Sequence, residues 1–192
     1  HQAGEDFYFL QKIIPHGHFA ELNTTCIYPS PRASNRVPFG TGKSMAMFLE
    51  NPGNEIQTYQ LESFFPLQML FGKMQSLYQL DVGQIDCFID SMPAPLKLFL
   101  KQNNATEKIY SISRNTASPG SFRKRFFLWF DAFLMLKYLN FVHNRFFKRQ
   151  PVKHEAIRLA GIIGLRVDER WPVEKILVKY RELEANKFNV NP

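Results

Sequence analysis

The chain has 192 residues, 45% of them hydrophobic, enough for one domain of ordinary size or a domain with an appendage, and not the composition of a disordered polar chain. The net charge of +7 is uneven: residues 1–120 hold nine Lys and Arg against ten Asp and Glu, and residues 121–192 hold fifteen against seven. That asymmetry points to an anionic partner such as lipid headgroups, nucleic acid or a phosphorylated acceptor. Cys26 and Cys87 have no metal-knuckle or redox spacing and suit a reduced, intracellular setting. The 19 Phe suit helix-on-helix packing and specify no chemistry by themselves.

In chain order, residues 4–14 (GEDFYFLQKII) predict a short helix, with Asp6 at its start, Phe7, Leu10 and Ile14 on one face, and Pro15-His16-Gly17 as the stop. Residues 19–28 predict a strand, because Thr24, Thr25, Ile27 and Tyr28 favour extended backbone. Residues 29–44 form a long irregular loop, and loops of that length in compact domains are often functional. A weak helix over 44–50 follows, and from residue 61 the pattern is helical throughout: 61–80, 81–91, 95–102, 105–114, 121–149, 152–163 and 173–186.

The segment 121–149 is expected as one central helix opened by a Ser121 cap and ended by Pro151. Its apolar run, 126–142, is 17 residues long and contains Asp131, Lys137 and Asn140. A membrane-spanning helix needs about 20 apolar residues, and a charge at its centre costs about 2.5–3.5 kcal/mol, so a buried helix is expected instead. Its basic flanks, Arg123-Lys124-Arg125 and Arg145 with Lys148-Arg149, form a solvated rim able to meet a membrane surface.

Three motif readings fail on their chemistry. The end of VPFGTGKS matches the second half of a phosphate-binding loop, but Val37 stands where the first glycine belongs and Pro38 removes a backbone donor. His16 and His18 have no third ligand at metal-site spacing, and His143 and His154 read as surface side chains at helix ends. The two last helices could form a helix-turn-helix, yet the second alternates Lys175, Lys179 and Arg181 with Glu174, Glu182 and Glu184, a mixed-charge solvated face with no aim at base edges. Nucleic acid is therefore not an expected partner.

The front of the chain carries the most specific signal. AGEDFYFLQKI followed by CIYPSPRASNRVPFGTG resembles the carboxy-terminal part of the catalytic region of bacterial family-2 glycosyltransferases with the GT-A fold. The likeness spans residues 3–44, with the helical remainder matching loosely. In that family a Glu-Asp pair, here Glu5-Asp6, opens a helix on the acceptor side of the active site. The resemblance implies that Asp6 is the general base, with Glu5 beside it to orient it and tune its proton affinity. It also implies that Arg32 and Arg36 pair with diphosphate or an anionic acceptor, while Gly40, Thr41 and Gly42 let backbone approach the substrate.

The run of helix-period segments from residue 61 predicts a mainly α chain, and the resemblance divides it. Residues 1–50 would be the end of the GT-A catalytic region, a short helix-strand-loop remnant of an α/β fold, and 51–192 a helical domain. The family's donor half, a Rossmann-like sheet with an Asp-x-Asp motif holding a divalent Mn or Mg, has no counterpart here, and DCFID at 86–90 reads as helix. The chain is thus expected to be the C-terminal piece of a longer enzyme, with no metal of its own. Nucleotide-sugar and a glycan or lipid-linked acceptor would be partners of the whole enzyme, which would be cytoplasmic or peripheral at the membrane. The competing class is a non-catalytic helical module that binds a membrane surface, nucleic acid or an acidic partner.

Overall fold

A computed structural model describes residues 5–14, 17, 20, 25, 45–46, 49–50, 53 and 55–188. The expected strand over 19–28, apart from residues 20 and 25, and the loop over 29–44 lie outside the described residues. The described part is mainly helical, with one two-stranded sheet. It divides into two compact units, residues 57–166 and residues 1–56 with 167–192.

The 57–166 unit begins with β1 (Gln57–Thr58), antiparallel to β2 (Gln150–Pro151), with Gln57 opposite Pro151 and Thr58 opposite Gln150. This short ladder ties the two ends of the unit together. Because α1 (Glu5–Ile13) belongs to the other unit, the next helix is α2 (Phe65–Lys73), preceded by a 3₁₀ turn at Leu61–Ser63 and continued by another at Met74–Leu77. The single helix expected over 61–80 is therefore broken into pieces. Ser76 Oγ donates to Lys73 O at 2.7 Å, a local bond that competes with helical pairing. Gln79 then takes a left-handed φ of 65°, which ends the segment.

α3 (Val82–Asp90) starts at a capping box: Asp81 Oδ1 accepts from Gln84 N at 2.8 Å, and Gln84 Oε1 accepts from Asp81 N at 3.0 Å. α4 (Ala94–Gln102) and α5 (Ala105–Arg114) follow where the periodicity placed them. These helices close on a core that includes Leu70, Leu77, Ile85, Ile89, Leu96, Phe99 and Ile109, all essentially without solvent exposure.

The expected helix over 121–149 is two helices, α6 (Pro119–Trp129) and α7 (Ala132–His143). The cap of α6 is Ser118, whose Oγ accepts from Ser121 N at 3.2 Å; Ser121 lies inside the helix as the residue that is capped. The break falls at Phe130 (ψ 64°) and Asp131 (ψ −177°), and Asp131 Oδ1 accepts from Leu134 N at 2.9 Å to start α7. The turn lets Phe130 fold back into the core, stacked on Phe126 with ring centroids 6.1 Å apart. Phe122, Phe126, Tyr138 and Val142 from both helices are buried in that core, as a helix-packing role for the Phe-rich segment requires. α7 ends at His143, well before Pro151, which immediately precedes α8 (Val152–Ile163). No helix among the described residues is long and apolar enough to cross a membrane.

In the other unit, α1 (Glu5–Ile13) matches the helix expected over 4–14, and Gly17, with φ 71°, closes a turn by donating its N–H to Ile14 O at 3.0 Å. Leu10 and Ile14 nevertheless remain exposed, so the expected apolar face of α1 is not matched by burial there. α9 (Val173–Phe188) extends the helix expected over 173–186. Its start is fixed by Lys175 lying 4.0 Å over the Trp171 ring and by Arg170 paired with Asp168.

Candidate functional site

Glu5 and Asp6 occupy the first turn of α1, and Lys12 occupies its last. A basic residue at the end complements the helix dipole. Arg32, Arg36, Gly40, Thr41 and Gly42 lie outside the described residues, and of the expected site the structure describes only the helical backbone of Glu5 and Asp6. The helix they open carries a run of exposed apolar side chains, Phe9, Leu10, Ile13 and Ile14.

In the 57–166 unit the densest polar constellation is one that sequence reasoning does not identify. Glu155, on the first turn of α8, is buried. Its Oε2 accepts from Leu61 N at 2.6 Å, its Oε1 from Arg158 Nη1 at 3.1 Å, and His154 Nδ1 lies 2.9 Å from the same Oε1. Arg158 also grips Glu62 with both guanidinium nitrogens, Nη1 at 3.0 Å from Oε2 and Nη2 against Oε1. This bidentate contact holds the Glu62 carboxyl far below its ordinary range, at about 2, and raises Arg158 further. Glu155 and Arg158 are visible in the sequence as an i,i+3 pair, but Glu62 lies 96 residues from Arg158. Both oxygens of each carboxylate are engaged by donors, so the cluster acts as a pin between the Leu61–Ser63 turn and α8.

A second set of contacts surrounds Tyr59. Its hydroxyl donates to Asn140 Oδ1 at 2.7 Å, and its ring meets the His143 ring edge-on at 4.9 Å with the Arg149 guanidinium 4.3 Å from its centre. His143 is not a surface side chain: Gln60 N donates to its Nε2 at 2.8 Å and its Nδ1 faces Leu139 O at 2.9 Å. Those two bonds select the tautomer with the proton on Nδ1. His154 sits in the first turn of α8, so the C-terminal dipole expected around it is absent too.

The two flanks of α5 each line a depression. On one side Tyr78, Gln79, Asp81, Tyr110, Arg114 and Thr116 border a cavity of about 330 Å³. On the other, α5 and α6 enclose a groove of about 460 Å³ bordered by Lys108, Ser111, Asn115, Arg125, Leu128 and Trp129. Among the described residues, every buried side-chain nitrogen and oxygen has a hydrogen-bond partner.

Among the described residues, the acidic side chains of α3 are already engaged by protein partners. Asp86 Oδ1 accepts from Thr106 Oγ1 at 2.5 Å, and Asp90 is paired with Lys101 at 2.6 Å, which draws Asp90 down and Lys101 up in proton affinity. The acidic pair of α3 is thus committed to neighbouring helices and is not offered to a cation. Among the described residues no group of three or more His, Cys, Asp or Glu side chains is placed to hold one. In comparisons with known proteins, no family model matches the chain, and no significant match arises among curated proteins or solved structures.

Proposed function

We propose that the chain is the acceptor-side and helical C-terminal part of a glycosyltransferase, which moves a sugar from a nucleotide-sugar to an acceptor hydroxyl in glycan or polysaccharide synthesis. The observation that carries this reading is that Glu5-Asp6 opens a helix, α1, as the likeness over residues 3–44 requires. The plainer alternative, that two acids merely suit a helix dipole, explains the pair but not its conjunction with the Arg- and Gly-bearing segment that follows.

In this reaction the acceptor hydroxyl gives its proton to the Asp6 carboxylate as its oxygen bonds to the anomeric carbon. The bond from that carbon to the diphosphate breaks, and its electron pair leaves on the nucleoside diphosphate. Glu5 orients and tunes Asp6, while Arg32 and Arg36 hold the diphosphate or an anionic acceptor through paired N–H donors. Gly40, Thr41 and Gly42 border the substrate path. A Mn or Mg ion would belong to the donor-binding half, and a glycan or lipid-linked acceptor to the side bearing α1. The exposed apolar residues of α1 suit a helix that packs against a further layer of a catalytic domain. The deciding experiment is a transfer assay of the whole enzyme with and without Asp6→Asn, under conditions where both variants are folded. Loss of turnover with donor binding retained is the expected result, and undiminished turnover overturns the assignment.

A further inference from the structure

We propose that the groove between α5 and α6 seats the phosphate headgroup of an anionic lipid and docks this unit on a bilayer surface. The inference does not depend on the transferase reading, because every residue it uses lies in the 57–166 unit and its test involves no sugar transfer.

Two helical stripes build the groove. On α5, Lys108 and Ser111 follow one another at helical spacing along one flank, with Asn115 just past its end, and on α6 Arg125, Leu128 and Trp129 stand at i, i+3 and i+4. Both stripes flank buried rows, Ile109 and Ile112 on one helix and Phe122 and Phe126 on the other, so the packing of the two helices fixes the groove.

Its charge is uncompensated. Lys108 and Arg125 are exposed, and neither has an ion pair or side-chain hydrogen bond among the described residues, whereas Lys101, Arg158, Arg170 and Lys179 each have a carboxylate. No carboxylate lines the groove. The C-terminal end of α5 would ordinarily repel an anion, but Thr116 Oγ1 donates to Ile112 O and Ser113 O, each at 3.0 Å, while Asn115 N and Nδ2 both donate to Ser111 O. Lysine and arginine donors over a polar floor suit a phosphate group.

The apolar side of the groove separates a lipid from a free phosphate compound. Leu128, which lines the groove, is 53% exposed. Trp129, half-buried at the groove wall, has the amphipathic ring favoured at the level of lipid headgroups. A free anion would use only the two cations, whereas a lipid in a bilayer also covers Leu128 beside Trp129.

The test is sedimentation of the chain with vesicles of phosphatidylcholine alone and of phosphatidylcholine mixed with phosphatidylglycerol, over a range of salt. Binding is expected only to the anionic vesicles and should weaken with salt. Lys108→Gln with Arg125→Gln should weaken it about thirtyfold, the product of about 1 kcal/mol for each engaged cation. Arg145→Gln with Lys148→Gln, which removes equal charge from the other basic flank, should weaken it far less, and Leu128→Ser should weaken it without altering net charge. Circular dichroism verifies that each variant is folded. Equal losses from the two charge-removing pairs would reveal diffuse attraction and overturn the groove as the site. Inorganic phosphate or an oligonucleotide bound without vesicles, and lost in the Lys108–Arg125 variant but kept in Leu128→Ser, would overturn the lipid as its ligand.

Discussion

The buried carboxylate of Glu155 accepts the backbone N–H of Leu61 at 2.6 Å across 94 residues of sequence, which joins the start of the helical unit to its last helix. Arg158 completes the joint by binding both Glu155 and Glu62. Removing one partner of such a cluster leaves charge without compensation, whereas an isosteric amide keeps an acceptor in place. Arg158→Met, which leaves the buried Glu155 carboxylate without its cation, is therefore expected to destabilise the unit more than Glu155→Gln, which should cost about 1 kcal/mol because Gln Oε1 still accepts from Leu61 N. Urea denaturation followed by circular dichroism measures both. Equal losses would mean that the carboxylate charge, and not the bond to Leu61, holds the joint.

Glu62 makes part of this stability depend on pH. Its carboxyl titrates at about 2 in the folded chain against an ordinary 4.5, with the Arg158 hydrogen bonds as the leading cause. A depressed carboxyl binds fewer protons folded than unfolded, so its contribution is complete above about 4.5 and is lost as pH falls toward 2. With the Glu62 side chain 34% exposed, screening limits the effect to about 1 kcal/mol. Denaturation midpoints at successive pH values should fall more steeply across that window for the native chain than for Glu62→Gln. Parallel curves would show that the pair contributes no pH-dependent stability.

Asp131 decides where the Phe-rich segment bends. Its side chain caps α7 through Leu134 N, so Asp131→Ala should cost about 1 kcal/mol, while Asp131→Asn and Asp131→Ser retain most of the stability. Thermal melts of the three variants rank the effect. If alanine proved as stable as asparagine, the turn would be held by burial of Phe130 alone.

For the proposed transferase, Asp6→Asn in the whole enzyme should lower kcat about 100- to 10,000-fold with little change in donor affinity, because shape and hydrogen bonding persist while the proton acceptor is lost. Glu5→Gln should do less. Arg32→Ala and Arg36→Ala should raise KM for one substrate and spare kcat, the mark of lost uniform binding. Steady-state kinetics on both substrates separate these outcomes. A kcat loss from the arginine variants as large as that from Asp6→Asn would move the arginines into the chemical step.

Local signals account for much of the helical layout. Asp81 with Gln84, the Ala105–Arg114 and Val152–Ile163 segments and the Glu5-Asp6 start are legible because caps, dipole preference and apolar period act over three or four residues. The same short range explains what could not be read. In sequence Asp131 is a charge inside an apolar run, and its role as the cap of a new helix emerges only with the burial of Phe130 against Phe126 beside it. Gln79 gives no sign of its left-handed backbone, which is held by Ser113 Oγ accepting its N–H at 2.8 Å from 34 residues away. His143 reads as a surface side chain until Gln60 arrives from the far end of the unit, and Lys108 and Arg125 read as unrelated cations until α5 and α6 lie side by side. The carboxylate pair on α1 is a property of the sequence, since adjacent residues in one helical turn are placed by the backbone itself. The Glu62–Arg158–Glu155 joint and the α5–α6 groove belong to the tertiary structure, because hydrogen bonds and burial between segments tens of residues apart leave no periodic trace in either segment.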